Sequence, residues 1–277
     1  MSVTISLAGK VAVVTGASRG IGRAIAIGLA REGCDVVIAA KSTESTEKLP
    51  GSVFTVAAEA EALGVRALPV PVDVRDADQI EGMAAKALER FGRIDLLINN
   101  AGALHWAGIL DTPPKRFDLV MGVNARAAFL CCRAVLPAMI RQGGGHIINM
   151  SPPLDHSILP GRIAYGISKL GMTLLTLGLA EEVRRQNVAV NSLWPATIIE
   201  SQASINHRLG TPEMWRKPDI LVDCVLRLAR KGPAELTGRA LVDEDFLRAE
   251  GVTDFAGYAC VPGSQPPRLS WAALSKG

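Results

Sequence analysis

The chain has 277 residues, a formal net charge of +3 and 48% hydrophobic residues, of which few are aromatic. This length suits one α/β domain with an aliphatic core, so a single domain over residues 1–277 is expected. The basic residues are scattered and do not form the clustered patch that nucleic-acid binding needs, which excludes a nucleic-acid partner from the expectations.

Several other classes of protein are also disfavoured. Residues 1–10 lack the basic start and apolar run of a signal peptide, and no run of 18 uncharged apolar residues predicts a membrane span. The five cysteines are odd in number and form no Cys-x-x-Cys pair, which indicates free thiols rather than a disulfide framework or a zinc site. The four histidines are dispersed, so no metal site is expected, and a cytoplasmic location is the default expectation.

Short apolar runs alternate with helical patterns along the chain. Strands are predicted at residues 11–15, 35–40, 66–72, 95–98, 146–149 and 188–193. Helices are predicted at residues 20–32, 52–63, 77–91, 114–141 and 164–185. Because strands that alternate with helices form right-handed crossovers, the pattern predicts a doubly wound parallel α/β sheet of the Rossmann type, with about seven strands and helices on both faces.

Three segments interrupt this alternation. Residues 41–51 are polar and include a Pro-Gly pair, which predicts an extended loop. Residues 196–218 lack a regular pattern, as is typical of a functional lid. Residues 262–277 are rich in proline and serine and are predicted to form a surface tail. The lid residues expected to close over a substrate are Ile198, Ile199, Ile205, Met214 and Trp215.

A glycine-rich turn, Thr-Gly-Ala-Ser-Arg-Gly-Ile-Gly, occupies residues 15–22 between the first predicted strand and the first predicted helix. Glycines there allow a tight turn and a close approach to a pyrophosphate, whose charge is favoured at a helix N-terminus. Structural turns also use glycine, but the position between a strand and a helix favours nucleotide binding.

Three motifs in chain order resemble those of the short-chain dehydrogenase/reductase family. They are Thr-Gly-x3-Gly-x-Gly at residues 15–22, Asn-Asn-Ala-Gly at residues 99–102 and Tyr-x3-Lys at residues 165–169. The resemblance runs from about Leu7 to about Val242. It implies an oxidoreductase that transfers a hydride between a nicotinamide cofactor and an alcohol or carbonyl.

The resemblance also implies a set of cofactor contacts. Asp73 is expected at the adenine, and Asn100 and Gly102 along the ribose, although Asn100 could instead stabilise the central strands. Thr197 is expected near the carboxamide, in a stretch that reads Pro-Ala-Thr where the family often has Pro-Gly. The candidate cofactor-binding residues are Gly16, Ser18, Arg19, Gly20, Ile21, Gly22, Lys41, Asp73, Val74, Asn100, Ala101, Gly102, Tyr165, Lys169, Pro195 and Thr197.

The residues after the second strand indicate which nicotinamide cofactor is used. An acidic residue about 20 positions after the glycines would bind the ribose hydroxyls of NAD, but residues 39–41 read Ala-Ala-Lys. Lys41 and Arg19 place two cations near one point, which suits a 2′-phosphate. NADP(H) is therefore expected in preference to NAD(H), although Lys41 could also be a solvated loop residue.

Tyr165 and Lys169 are four residues apart on a predicted helix and therefore share one face. A nearby ammonium group favours the phenolate and lowers the pKa of a tyrosine, so Tyr165 could exchange a proton with an alcohol or an alkoxide. The resemblance implies that Lys169 also holds the nicotinamide ribose and that Asn124 supports a water relay to this lysine.

The usual catalytic serine of the family stands 13 residues before the tyrosine, where this chain has Pro152. Ser151 is the candidate replacement if the loop is shifted by one residue, and Ser157 is a second candidate. Alternatively, Ser151 only ends a strand. The resemblance implies that a subgroup of the family shares the Ser-Pro-Pro sequence that begins at Ser151.

Two functional hypotheses follow. The first is an active NADP-dependent alcohol dehydrogenase or carbonyl reductase for a small apolar substrate, such as a lipid-like aldehyde, a terpenoid alcohol or a steroid, with Trp106 and Leu154 as apolar walls. The second, motivated by Pro152, is a nucleotide-binding regulatory protein with weakened catalysis. The apolar helices at residues 114–141 and 164–185 predict a homodimer or a homotetramer.

Overall fold

The computed structural model describes residues 5–47, 49–153 and 160–269 of the chain. Within these ranges the strands are β1 (Val11–Thr15), β2 (Asp35–Ala40), β3 (Ala67–Pro71), β4 (Leu96–Asn99), β5 (Gly145–Asn149), β6 (Val188–Trp194), β7 (Ile198–Ile199), β8 (Trp215–Arg216) and β9 (Ala240–Val242). Seven of them form one sheet in the order β3-β2-β1-β4-β5-β6-β9. All neighbours in this sheet are parallel.

The helices within these ranges are α1 (Gly20–Arg31), α2 (Val53–Glu61), α3 (Ala77–Phe91), α4 (Pro114–Met121), α5 (Ala127–Arg141), α6 (Ile163–Glu182), α7 (Gln202–Asn206), α8 (Asp219–Ala229) and α9 (Asp243–Ala249). One apolar cluster packs α1, α2 and α8 against the sheet, and a second packs α3, α5 and α6 against its other face. Side chains of β1 alternate between the two clusters, with Ala12 and Val14 in the first and Val11 and Val13 in the second. This alternation follows from the two-residue period of a strand, and it explains why β1 is a continuous apolar run.

The predicted fold class is confirmed: a doubly wound parallel sheet carries helices on both faces. The strand order reverses between β1 and β4, because the chain first builds outward to β3 and then returns to the other side of β1. In such sheets, ligands bind beyond the carboxyl ends of the strands at this reversal. The fold therefore places the glycine-rich turn after β1 at the expected ligand crevice.

The structure differs from the predicted elements at three places, and at one of them, after residue 218, α8, β9 and α9 form without a predicted counterpart. The single helix predicted over residues 114–141 contains a π-helical turn, Gly122–Arg126, between α4 and α5. The lid, residues 196–218, is folded: β7 pairs with β8, and α7 lies between them. Each lid element is five residues or shorter, which is too short for a periodic pattern to show in the sequence.

The tail was predicted to lie on the surface, and its described part, residues 262–269, packs against the lid and α9. The amide of Leu269 donates a hydrogen bond to the carbonyl of Ala196 at 2.8 Å. The guanidinium of Arg268 binds the carboxylates of Glu244 and Asp245. The described part of the tail therefore links the lid to α9.

Two helical stretches of the described structure, Pro114–Arg141 and Ile163–Glu182, are long and apolar enough to cross a membrane by length and composition. Residues of α5 and α6 belong to the second apolar cluster of the domain, and a helix that is buried in a protein core passes the same test. The predicted absence of a membrane span stays a prediction.

Candidate active site

A cavity of about 980 Å³ opens where the strands of the large sheet end. Its walls are formed by the segments that follow β1, β2, β3, β4 and β5, together with the end of β6 and the lid. Every candidate cofactor-binding residue named from the sequence lines this cavity, and so does Trp106. Asn124 and Ser151 do not line it. The structure therefore brings the glycine-rich turn and the Tyr-Lys pair to one site.

The glycine-rich turn has the backbone geometry that its sequence requires. Gly16 and Gly20 have φ angles of +66° and +55°, which glycine adopts without steric cost. A Cβ atom on Gly22 would lie 2.4 Å from Nδ2 of Asn100, so no larger residue fits there. Helix α1 begins after Arg19 with no side-chain cap. Its first backbone N–H groups have no intrahelical partner and could bind a phosphate.

Asn100 supports this turn from the neighbouring strand. Its Nδ2 donates hydrogen bonds to the carbonyls of Thr15 at 2.9 Å and Gly16 at 3.3 Å. Its backbone N–H donates to Oγ1 of Thr15 at 3.1 Å. Asn100 thus connects the ends of β1 and β4, as the structural alternative predicted, while it also lines the cavity.

Positive charge collects at the end of the cavity formed by the segments after β2 and β3, where the sequence analysis expects the adenine of a cofactor. Arg19 donates to the hydroxyl of Ser42 at 3.0 Å and to the carbonyl of Gly51 at 2.9 Å. Lys41 lies 3.3 Å from a carboxylate oxygen of Asp73, which also accepts hydrogen bonds from the guanidinium of Arg75. These bonds hold the pKa of the Asp73 carboxyl well below its usual range.

Sequence reasoning missed Ser42 and Arg75, which also line the cavity. Both follow a predicted site residue closely, Ser42 directly after Lys41 and Arg75 two positions after Asp73. Their proximity in sequence was the signal available. With Arg75 included, the described residues place three cations and one carboxylate at this end of the cavity, which gives them a positive formal charge.

Tyr165 and Lys169 lie on α6 at the other end of the cavity. The ammonium nitrogen of Lys169 is 6.0 Å from the centre of the Tyr165 ring and donates a hydrogen bond to the carbonyl of Met150 at 2.8 Å. Burial lowers the pKa of Lys169 to about 8. Burial raises the pKa of the Tyr165 phenol, which is opposite to the lowering predicted from Lys169, and the positive charge that opposes the rise is that of Arg162. The lysine is therefore mostly protonated at neutral pH, close to the phenol.

Asn124 lies in the π-helical turn, fully buried behind the cavity wall. Its side chain exchanges hydrogen bonds with the backbone of Ala103, at 2.8 and 3.1 Å, and donates to the hydroxyl of Ser168 at 2.8 Å. A Cβ atom on Gly102 would lie 3.6 Å from Oδ1 of Asn124 and 3.7 Å from the ammonium nitrogen of Lys169. Asn124 thus holds the loop after β4 next to the lysine.

The structure does not bring Ser151 into the cavity. The side chain is fully buried, and its hydroxyl oxygen lies 3.0 Å from the hydroxyl of Thr173 on α6. Met150 and Pro153 line the cavity and Ser151 does not, so the Ser151 hydroxyl points into the protein towards α6. The one-residue offset from the family's usual position therefore turns the hydroxyl away. Ser157 and Leu154 lie outside the described residues.

The lid and the end of β6 close the remaining side of the cavity. Ala196, Thr197, Ile198 and Ile199 line it, whereas Ile205, Met214 and Trp215 do not. Trp215 is buried within the lid, where its indole N–H donates to the carbonyl of Leu209 at 2.5 Å.

The site fits a dinucleotide at both of its ends. The hydroxyl of Thr197 is buried and has no hydrogen-bond partner among the described residues, so it could bind an amide of a ligand. At the opposite end, the uncapped start of α1 and the cations suit phosphate groups. Among the described residues, no cluster of three or more metal-ligating side chains occurs.

A doubly wound parallel sheet with a glycine-rich turn and a cavity at its reversal point is the architecture of nucleotide-binding proteins. The family model described as short chain dehydrogenase matches residues 10–209. The chain belongs to the short-chain dehydrogenase/reductase family, as the three motifs predicted.

Individual relatives agree with this assignment. Hydroxysteroid dehydrogenase-like protein 2 from Danio rerio is 44% identical over 94% of this chain, and the Mus musculus protein of that name is 45% identical over 94%. The chain spans 63% and 53% of the lengths of these two proteins. Within the family, the chain is therefore similar to hydroxysteroid dehydrogenase-like protein 2 over most of its length.

Solved structures show the same fold. A short chain dehydrogenase from Mycobacterium thermoresistibile is 40% identical with a TM-score of 0.89, and the match covers 96% of each chain. A metagenomic short-chain oxidoreductase in complex with NADP is 35% identical, with a TM-score of 0.72 over 86% of this chain and 98% of that one. A short chain dehydrogenase from Mycobacterium paratuberculosis bound to NAD is 25% identical, with a TM-score of 0.74 over 86% of this chain and 97% of that one.

Proposed function

We propose that this chain is an active NADP-dependent alcohol dehydrogenase or carbonyl reductase for a small apolar substrate. The observation that carries the proposal is that one cavity is lined by the glycine-rich turn, by Lys41 and Arg19, and by Tyr165 and Lys169. A regulatory protein needs only the first two of these features. An enzyme also needs the third feature, because the buried tyrosine and lysine can transfer a proton to or from the substrate.

A bound nicotinamide cofactor supplies or accepts the hydride. The phenol of Tyr165 gives its proton to the substrate oxygen as a carbonyl becomes an alcohol, and it takes the proton back in the reverse direction. The ammonium group of Lys169 stabilises the phenolate that remains. Asn124 acts indirectly, because it holds the loop beside Lys169 rather than lining the cavity.

The preference for NADP(H) is supported by the charge at the adenine end. Arg19, Lys41 and Arg75 line the cavity there, and Asp73 is the one carboxylate among the described residues that line it. A 2′-phosphate would bind at this positive end better than a neutral ribose does. Related structures hold NAD in one case and NADP in another, so the charges of this chain carry the preference.

An apolar substrate is supported by the side chains around the catalytic end. The cavity is lined there and along the lid by Leu104, Trp106, Leu119, Pro153, Trp194, Ile198, Leu209 and Leu269. A pocket of this composition binds apolar groups and uses few polar contacts for orientation. Steroids are candidates because of the name that the relatives carry, beside lipid-like aldehydes and terpenoid alcohols.

One observation favours the second hypothesis, a regulatory protein with weakened catalysis. The hydroxyl of Ser151 faces Thr173, and Pro152 carries no donor at the position of the usual serine. The two hypotheses differ in turnover but not in nucleotide binding. A regulatory protein would bind NADPH and leave carbonyls unreduced.

The test is an assay of NADPH oxidation with a panel of apolar aldehydes and ketones, run with the protein and with Tyr165→Phe. Turnover that needs Tyr165 supports the enzyme. Tight NADPH binding without turnover by either protein supports the regulatory alternative. Turnover that is equal in both proteins contradicts the proposed proton transfer.

We also propose a homodimer or homotetramer in the cytoplasm. The helices α5 and α6 keep large apolar side chains exposed, including Phe129, Ile140, Ile167 and Leu174. A second copy of the chain would cover them. The cysteines are all free in the structure, which suits a reducing compartment.

A further inference from the structure

The catalytic end of the cavity has an unassigned hydrogen-bond donor. Trp106 follows β4 in the loop beside Tyr165 and lines the cavity. The indole nitrogen of Trp106 is buried and has no hydrogen-bond partner among the residues that the structure describes. Buried polar groups in folded proteins are nearly always paired, so the unpaired N–H of a residue that lines a cavity calls for a partner, which a ligand could supply.

The ring of Trp106 is well placed for a group that binds next to Tyr165. The two ring centres are 6.5 Å apart, and the planes meet at 72° in an edge-to-face arrangement. The indole ring therefore lies beside the phenol ring of Tyr165, which transfers the proton in the proposed reaction. An oxygen atom bound to the phenol would lie in the same part of the cavity as the indole.

Arg162 holds the other side of the indole. Its guanidinium carbon lies 4.2 Å from the centre of the Trp106 ring, and only 8% of the residue is exposed. This cation–π contact fixes the ring in place. A cation over the ring also draws electron density from the indole, which makes its N–H a stronger donor.

We propose that the N–H of Trp106 donates the second hydrogen bond to the substrate oxygen, in the role of the family's usual serine, and that Arg162 is its positioning residue. This inference rests on the proposed carbonyl reduction. The hydride forms the new C–H bond, and the carbonyl π pair becomes a lone pair on oxygen. Tyr165 transfers the proton to that oxygen, while Trp106 keeps its own proton and stabilises the developing negative charge.

The decisive variant is Trp106→Phe, which keeps an aromatic ring against Tyr165 and Arg162 but lacks the N–H. With a carbonyl that the protein reduces, kcat is expected to fall about 100-fold or more, as when an oxyanion donor is removed. The Kd for NADPH is expected to stay unchanged. Arg162→Lys, which keeps a cation, should retain more of kcat than Arg162→Met. A kcat of Trp106→Phe close to that of the unaltered protein overturns the inference, while the need for Tyr165 keeps the proposed function.

If the protein reduces no carbonyl, the proposed function is contradicted. A second measurement then tests the donor role of Trp106 by itself. NMR signals of the indole N–H groups are recorded for the NADP-loaded protein, and the signal lost in Trp106→Phe identifies Trp106. Cyclohexanone is then added up to its solubility limit. A shift of that signal that exceeds those of the other tryptophans supports the donor role. A Trp106 signal that stays in place overturns it.

Discussion

The hydroxyl oxygen of Ser151 lies 3.0 Å from the hydroxyl of Thr173, and both side chains are fully buried between β5 and α6. The hydroxyl of Thr173 is also 2.6 Å from the carbonyl of Pro152. This pair therefore joins the segment after β5 to the middle of α6. In this arrangement Ser151 supports the helix that carries Tyr165 and does not face the substrate.

Ser151→Ala is therefore expected to affect stability more than turnover. The variant should lose about 0.5–1.5 kcal/mol of unfolding free energy, the usual contribution of one hydrogen bond. Its kcat should stay within about threefold of the unaltered value, far from the loss that an oxyanion donor causes. Urea unfolding and steady-state kinetics measure the two effects, with Thr173→Val as a matched variant of the partner. A large fall in kcat at unchanged stability would show that Ser151 reaches the substrate.

The buried Lys169 predicts how stability depends on pH. Its pKa is lowered to about 8 from an unfolded value of 10.5, because burial disfavours the ammonium group. Between these values the unfolded chain binds more protons than the folded one, so stability rises with pH there. Lys169→Met lacks this titration, so it should be stabilised relative to the unaltered protein at about pH 7 and lose that advantage by about pH 10. Melting curves of both proteins across this range test it, and parallel pH profiles would contradict it.

The position of Lys41 next to Asp73 predicts how replacing this lysine changes the cofactor preference. Lys41→Asp should raise the Kd for NADPH and lower the ratio of NADH to NADPH dissociation constants at least tenfold. The new carboxylate repels a 2′-phosphate and accepts hydrogen bonds from ribose hydroxyls. Lys86→Asp makes the same charge change on the exposed side of α3, outside the cavity, and should leave the ratio unchanged. Equal affinity of the unaltered protein for NADH and NADPH would contradict the preference.

The exposed apolar residues of α5 and α6 predict the behaviour in solution. Leu174 is 60% exposed and Phe129 is 54% exposed. The double change Leu174→Glu and Phe129→Glu should dissociate the assembly, since burying two charges at an interface is costly. Sedimentation should then show the 29.3 kDa monomer. Leu63→Glu, on a part of the surface after α2, is the control and should not change the assembly. A monomer already seen for the unaltered protein would contradict the proposal.

The sequence by itself determined the parts of this protein that depend on neighbouring residues. The strand patterns predicted six of the seven strands of the sheet to within a few residues, and missed β9, since side chains repeat with the period of each element. The glycine-rich turn and the pair Tyr165 and Lys169 were predicted from short local motifs. Their chemistry needs particular residues at fixed short spacings, and the structure places them all along one cavity.

Only the tertiary structure decided which side chains meet across the site. The direction of Ser151 depends on which side of the segment after β5 faces α6. The place of Trp106 beside Tyr165 and Arg162 joins a loop to a helix that is more than 50 positions away in the sequence. In the lid, the short strands β7 and β8 pair with each other. Elements this short are stabilised by packing against the rest of the protein rather than by their own local sequence. Such contacts arise from distant parts of the chain packing together, and no local pattern encodes them.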